Sequence, residues 1–203
     1  MKKIIITLSV LLFVTGCSQT AEYSRNLEVS SVDSTLVVNQ PLQKAYIYIN
    51  KSLMGNQSFK SSTRLGEDNL NIDLGQYTAE GTNRFFRNYL KDVQITHDSA
   101  VLATSDLIIM PEIGHFSYGF YSADGFDVDA KPYVSYSLNL AIYKNGREIY
   151  KQNISTAPRH FGELTFFGTG ISSYIQIGPI LQRAIATDYS ENAREILQAI
   201  NSI

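Results

Sequence analysis

Three groups of side chains in this 203-residue sequence are of types that do chemistry. His97, His115 and His160 are its only histidines. Imidazoles serve as metal ligands and general bases. A zinc-binding pair on a helix needs the i, i+4 spacing of a His-Glu-x-x-His run, and these three stand far apart in the chain. Each reads as a surface or strand-end residue. The second group is Asp124, Asp127 and Asp129 in "DGFDVD". Clustered carboxylates supply oxygen ligands to Ca²⁺, but an EF-hand loop needs acidic residues at alternate places, a central Gly and a Glu at the twelfth. That register is not met, and the stretch reads as a solvated hairpin loop. The third is "GTGISS", residues 168–173, which has the outline of a phosphate loop without the lysine that reaches the phosphates. No Gly-x-Ser-x-Gly elbow occurs. The chain therefore reads as non-enzymatic, with no catalytic residue, metal or cofactor expected.

The remaining reactive side chain is Cys17, the only cysteine. Lys2 and Lys3 precede an uncharged run, Ile4 to Val14, and Thr15 and Gly16 follow it. That is the charged, apolar and small-residue sequence of a secretory signal. At about 1.5 Å per residue, eleven apolar residues reach only about half of the ~30 Å hydrocarbon core. Val14-Thr15-Gly16-Cys17 resembles the lipobox of bacterial lipoproteins. The resemblance implies that residues 1–16 are a signal peptide, that the Cys17 thiol receives a diacylglycerol, and that the new amine is acylated. Two or three chains hold a protein on a bilayer durably, where one binds marginally. Ser18, where Asp would retain such a protein in the inner membrane, implies the outer membrane and its periplasmic face.

With Cys17 acylated no thiol remains, which excludes internal disulfides, thiolate metal sites and a cysteine nucleophile. A formal charge of −2, made more negative by loss of Lys2 and Lys3, excludes nucleic acid as a partner. Thirteen Tyr and ten Phe with no Trp point to a β-rich, aromatic-packed core.

Residues 17–26 read as the lipidated Cys and a polar tether, and 27–203 as a single α+β domain. Strands are expected over 27–38 and 45–50 with a turn at Pro41, then a loop or short strand over 51–75. Phe85, Phe86, Tyr89, Leu90 and Val93 fall at helical spacing and predict a helix over 79–92, capped by Thr78 or Thr82. "VQITH" reads as a strand, and 105–122 as a long strand that Pro111 breaks or bulges. Val134, Tyr136, Leu138, Leu140 and Ile142 alternate with smaller or polar residues up to Asn145-Gly146, the favoured pair of a type I′ hairpin turn. Two apolar stripes, from Ile180 and from Ala193, predict C-terminal helix with Pro179 in its first turn; continuity through 188–191 is left open. The expected fold is α+β, a mainly antiparallel sheet with two helices packed on one face.

This order of elements, with Ser105-Asp106-Leu107-Ile108-Ile109 and the Asn145-Gly146 hairpin, resembles YajG-like and transport-auxiliary periplasmic lipoproteins. The segment 161–177 departs from that outline. It sets Phe161, Leu164, Phe166, Phe167, Ile171 and Tyr174 among Gly162, Gly168 and Gly170. So much aromatic surface must bury against its own sheet or dock on a protein or lipid. The sequence thus predicts an outer-membrane lipoprotein facing the periplasm. Its lipid holds the membrane and its surface holds an envelope protein, as an accessory or assembly factor. The competing expectation is a carrier of lipid or another small apolar ligand, which needs a dry pocket of several hundred Å³.

Overall fold

A computed structural model describes residues 18–27, 35, 36, 38, 44–66, 68–103, 107–122, 129–166 and 171–202, with Ile171 and Ser172 as backbone alone. In chain order its elements are β1 (Ser18–Ala21), β2 (Ala45–Tyr48), β3 (Gln57–Phe59), β4 (Asn69–Ile72), α1 (Leu74–Phe86), β5 (Val93–Thr96), β6 (Leu107–Tyr121), β7 (Asp129–Lys144), β8 (Arg147–Asn153), β9 (His160–Phe161), β10 (Thr165–Phe166), α2 (Ile171–Tyr174) and α3 (Ile177–Asn201). Most of the strand expected over 27–38 lies outside the described residues.

The large sheet runs β5-β2-β6-β7, and β8, β9 and β10 pair along the other edge of β7. A small sheet has the order β1-β4-β3. The fold is α+β and its pairing is mainly antiparallel, as expected, but the sheets are mixed rather than purely antiparallel. β2 lies parallel to both β5 and β6, and β1 parallel to β4. The reason is connectivity: β5 and β6 reach β2 by crossovers, and only strands joined by tight turns are bound to pair antiparallel.

Alternation along β7 decides where the helices go. Ala130, Val134, Tyr136, Leu138, Leu140 and Ile142 are buried on one face, under α1 and α3. α3 is continuous from Ile177 to Asn201, so residues 188–191 do not interrupt it. Asp188, wholly buried, fastens its middle. Its carboxylate accepts the Tyr136 hydroxyl of β7, and also the Thr156 N–H (2.9 Å) and hydroxyl (2.7 Å). Near the helix end, Lys144 Nζ donates to the Ile200 carbonyl at 3.1 Å. α1 is tied to α3 by the Thr82–Tyr189 hydroxyl pair at 2.7 Å and the stacked Phe85 and Tyr189 rings.

Three local expectations need correction. The helix expected over 79–92 is α1, Leu74–Phe86, because Asp73 and not a threonine caps it: its carboxylate accepts from the Gln76 N–H at 2.8 Å. Thr78 and Thr82 lie inside the helix and bond back to the carbonyls four residues before them. The Asn88 amide closes the far end on the Arg84 and Phe85 carbonyls. Pro111 neither breaks nor bulges β6. The partner strand β2 stops at Ile109, which leaves Pro111 at an edge, and the register shift falls at Gly114. In place of a tether, residues 18–21 form β1. Beyond it, Gln182 of α3 holds Ser24 at both its N–H (3.2 Å) and its carbonyl (2.6 Å).

The turn between β7 and β8 has Asn145 at φ 53° and Gly146 at φ 72°, the left-handed pair that a type I′ turn requires. A β-branched residue tolerates that region poorly. Gly146→Val is expected to cost about 1–3 kcal/mol, read as a lowered midpoint in urea unfolding; an unchanged midpoint contradicts the strain.

Candidate functional surface

Among the described residues, the helices lie on one face of the large sheet; on the other, Ile108 at the β2 side is buried, while most positions further along are open. On the other face, the cross-strand pairs Met110–Ala141, Glu112–Asn139, His115–Ser137 and Ser117–Ser135 turn their side chains away from α1 and α3. The alternation that supplies the core therefore also supplies a polar face.

Over part of that face lies a groove of about 750 Å³. Tyr48 of β2, Glu112 of β6, Asn139 and Tyr143 of β7, and Lys151 and Asn153 of β8 are among its walls. The Tyr143 hydroxyl donates to Glu148 at 3.0 Å, and this bond holds its pKa above the usual tyrosine value. Lys151 stands 3.7 Å from the same carboxylate. The groove sets the charges of Glu112 and Lys151 and the amides of Asn139 and Asn153 beside Leu53, Met110 and Ala141 on a rigid sheet, a mixed surface of the kind that protein partners use. By contrast, a cavity among Leu53, Leu74 and Ile113 holds about 60 Å³.

Towards the opposite end, where β6 finishes and β7 begins, the same face becomes aromatic. Tyr133 lies across Gly119, where an added Cβ would come within 2.7 Å of the tyrosine oxygen. That oxygen meets the Ser62 hydroxyl at 3.0 Å, beyond the edge of β6. The Phe161 ring lies 5.6 Å from Tyr133 and 6.3 Å from Tyr121, and the Arg159 guanidinium sits 4.8 Å over Tyr133. Phe166 pairs with Asp129 and therefore shares this face.

The structure divides the residues singled out in 161–177. Phe161, Leu164 and Phe166 are exposed. Tyr174 and Ile177 are buried, Tyr174 with its ring 5.0 Å from Phe120 and its hydroxyl on the Asp68 carbonyl. Phe167 and Cys17 lie outside the described residues, as do Gly168 and Gly170, and of Ile171 only the backbone is described. Asp124 and Asp127 also lie outside them, and Asp129 opens β7. The histidines are not brought together: His97 Nδ1 is 3.0 Å from the Ile49 carbonyl, His115 stands on the bare face, and His160 lies against Tyr136. Among the described residues, no three His, Cys, Asp or Glu are placed to hold a metal ion.

Two features escaped the sequence. The Ser, Asn and Ala positions of β7 were legible as a solvent face, but the groove needs β2 and β8 beside them, which only topology supplies. The Tyr136–Asp188–Thr156 clamp had no signal beyond a charged residue in an apolar helical stripe.

Residues 1–18 match the family model for the prokaryotic membrane lipoprotein lipid attachment site, and the chain's single cysteine lies within the match. The match supports a bacterial lipoprotein, anchored to a membrane through lipid. The match does not extend into the domain and lends no support to the YajG-like resemblance. No curated protein matches the chain. Among solved structures, the hypothetical protein CT253 from Chlamydia trachomatis is similar at 12% identity and a TM-score of 0.38, covering 79% of this chain and 99% of that one.

His160 carries a pH dependence. Burial pushes its pKa below the ordinary imidazole value of 6.5, against the opposing pull of Asp188 and Glu191, and its Nε2 has no hydrogen-bond partner. A depressed folded pKa means that the unfolded chain binds the proton more tightly. The neutral imidazole therefore contributes fully above about pH 6.5, and its contribution is lost as pH falls from there toward the folded pKa. The thermal midpoint is expected to fall between about pH 7 and 5, and to fall less in His160→Phe. An equal drop in both proteins would show that His160 is not the group responsible.

Proposed function

We propose that this lipoprotein sits in the outer membrane, faces the periplasm and works by binding, as a non-enzymatic accessory or assembly factor of an envelope complex. The observation that carries the reading is the polar stretch that the described residues leave open on one face of a sheet whose other face is packed under the helices and the small sheet. A sheet face left open to water with a groove of about 750 Å³ over it is a rigid platform on which a partner can seat. The small size of the cavity under α1, among the described residues, supports an adaptor over a carrier. The cavity of about 60 Å³ between α1 and the sheet has room for a few waters and none for an acyl chain. The non-enzymatic reading rests on the separation of the three histidines. The outer-membrane placement rests on Ser18, the residue after the acylated cysteine.

Two experiments bear on this. For the anchor, wild type is expected to take up radiolabelled palmitate and Cys17→Ser is not; equal labelling removes the lipoprotein premise. For the surface, Asn139→Arg combined with Lys151→Glu changes exposed side chains in the groove. Exposed changes of this kind shift stability by about 0.5 kcal/mol or less. The double variant is expected to melt like wild type and to lose the envelope proteins that co-purify with it from gently solubilised membranes. Retention of all of them rules out the groove as the binding surface.

A further inference from the structure

We propose that the end of the domain bearing the lipid anchor rests its exposed apolar side chains in the interface of the same bilayer, so that the protein is held at two points and in one orientation. The proposal rests on acylation of Cys17 and is independent of the partner groove.

The first observation is the lack of slack. Ser18, the residue after Cys17, is already the first residue of β1 and pairs with Asn69. Gln19 Nε2 donates to Asp68 Oδ2 at 3.1 Å. The Asp68 carbonyl in turn accepts the hydroxyls of Tyr174 (3.0 Å) and Tyr118 (3.2 Å). One residue spans at most about 3.6 Å. Acyl chains attached one residue before β1 can enter a bilayer only if this end of the domain comes to the headgroups.

The second observation is what lies at that end. Six large apolar side chains stand exposed among the described residues: Leu102, Tyr121, Phe161, Leu164, Phe166 and Ile175. All but Leu102 gather here, at 50% to 67% exposure. Ile175 follows Tyr174 directly. The Thr165 hydroxyl meets that of Ser173 at 2.6 Å, which ties β10, with Leu164 and Phe166 on either side of Thr165, to the α2 turn that Ile175 follows. Tyr121 and Phe161 continue the patch onto the bare sheet face.

Aromatic and aliphatic side chains on a surface held at headgroup level enter the boundary between headgroups and acyl chains. Lys131 opposite Tyr121, and Arg159 over Tyr133, can meet phosphates; Asp129 and Glu163 nearby must stay in water, which limits the depth. A protein partner could also cover such a patch. The bilayer is favoured because the anchor brings it there in every molecule.

The test uses the full acylated protein in phosphatidylethanolamine–phosphatidylglycerol vesicles. Its one native cysteine carries lipid, so an introduced thiol can be labelled alone with an environment-sensitive fluorophore. Leu164→Cys reports the patch, and Glu148→Cys reports the distant β7–β8 turn. The expected result is a blue-shifted Leu164 probe that loses most of its emission to a shallow lipid-borne quencher, beside a Glu148 probe that does neither. Ile175→Cys is the second patch position should Leu164→Cys fail to fold. If the probes float with the vesicles and the patch emits as in water, the proposal is overturned and the anchor stands. A shift that appears only on adding envelope extract assigns the patch to a protein partner and also overturns it. Failure of the protein to float overturns anchor and proposal together.

Discussion

A carboxylate with no exposed surface has to find its hydrogen bonds inside the protein, and Asp188 finds three of them on two other segments. It lies midway along α3, and its oxygens accept from Tyr136 in the centre of β7 and from Thr156 after β8. Asn192, one turn on, adds a bond from its amide to the Ile154 carbonyl at 3.0 Å. A buried charge left without such donors is strongly destabilising. This arrangement therefore fixes which turn of α3 faces which residue of β7. The apolar stripe of α3 is smooth enough to slide by a turn; the clamp is not. Burial, and then the Asp188 charge, push the Tyr136 pKa far up, which favours the phenol as the donor of this bond.

Once α3 is registered on that face, the rest has little freedom. α1 packs beside α3 through Thr82, Tyr189 and Phe85. The small sheet completes the layer, with Phe59 against Phe116 and Tyr118 bonded to the Phe59 and Asp68 carbonyls. Among the described residues this layer leaves much of the other face open, with Ile108 and Tyr133 buried near its two ends. β7, at 16 residues and about 3.3 Å each, is roughly 50 Å long, so the two ends of that face are far apart. The chain's acylated start leaves beside the β6 end, and the groove lies toward the β7–β8 turn.

Elements whose signal is local could be read from the sequence. Asn145-Gly146 dictates its turn by backbone sterics alone, and the alternation from Val134 to Ile142 dictates which side chains are buried. The apolar stripes of α3 were read as two because Asp188, Ser190 and Glu191 are polar; the structure shows the first of them pointing inward. Features set by distant partners were not legible. Ser18 to Ala21 has no β-type pattern and becomes a strand only because β4 offers an unpaired edge. The start of α1 was misplaced because Gly75 reads as a loop residue. It is glycine for packing reasons: a Cβ there would lie 2.5 Å from the Leu53 carbonyl oxygen. Of the aromatic segment, sequence gave composition but not direction, and Tyr174 and Phe166 face opposite ways within nine residues.

The contrast between the two ends of the bare face follows from that geometry. An exposed apolar patch on a soluble surface invites association, and such patches stay small on monomeric proteins. Here the large, mostly exposed apolar side chains collect where the acyl chains leave; the groove walls mix partly buried Met110 and Leu53 with Glu112, Asn139, Lys151 and Asn153. A free edge strand is a second liability, since unpaired N–H and C=O groups template pairing with another chain. Beyond the reach of β2, the edge of β6 is covered by residues 62 and 63: Ser62 N–H donates to the Tyr118 carbonyl at 2.8 Å, and Thr63 Oγ1 accepts the Phe120 N–H at 3.2 Å. The far end of β7 is covered in turn by β9 and β10. With the long central strands shielded in these ways, the open side presents side chains rather than a strand edge, and the recognition proposed for it would fall to them. Their polarity then makes it a matter of matched hydrogen bonds and charges, which select a partner by complementarity more than by affinity.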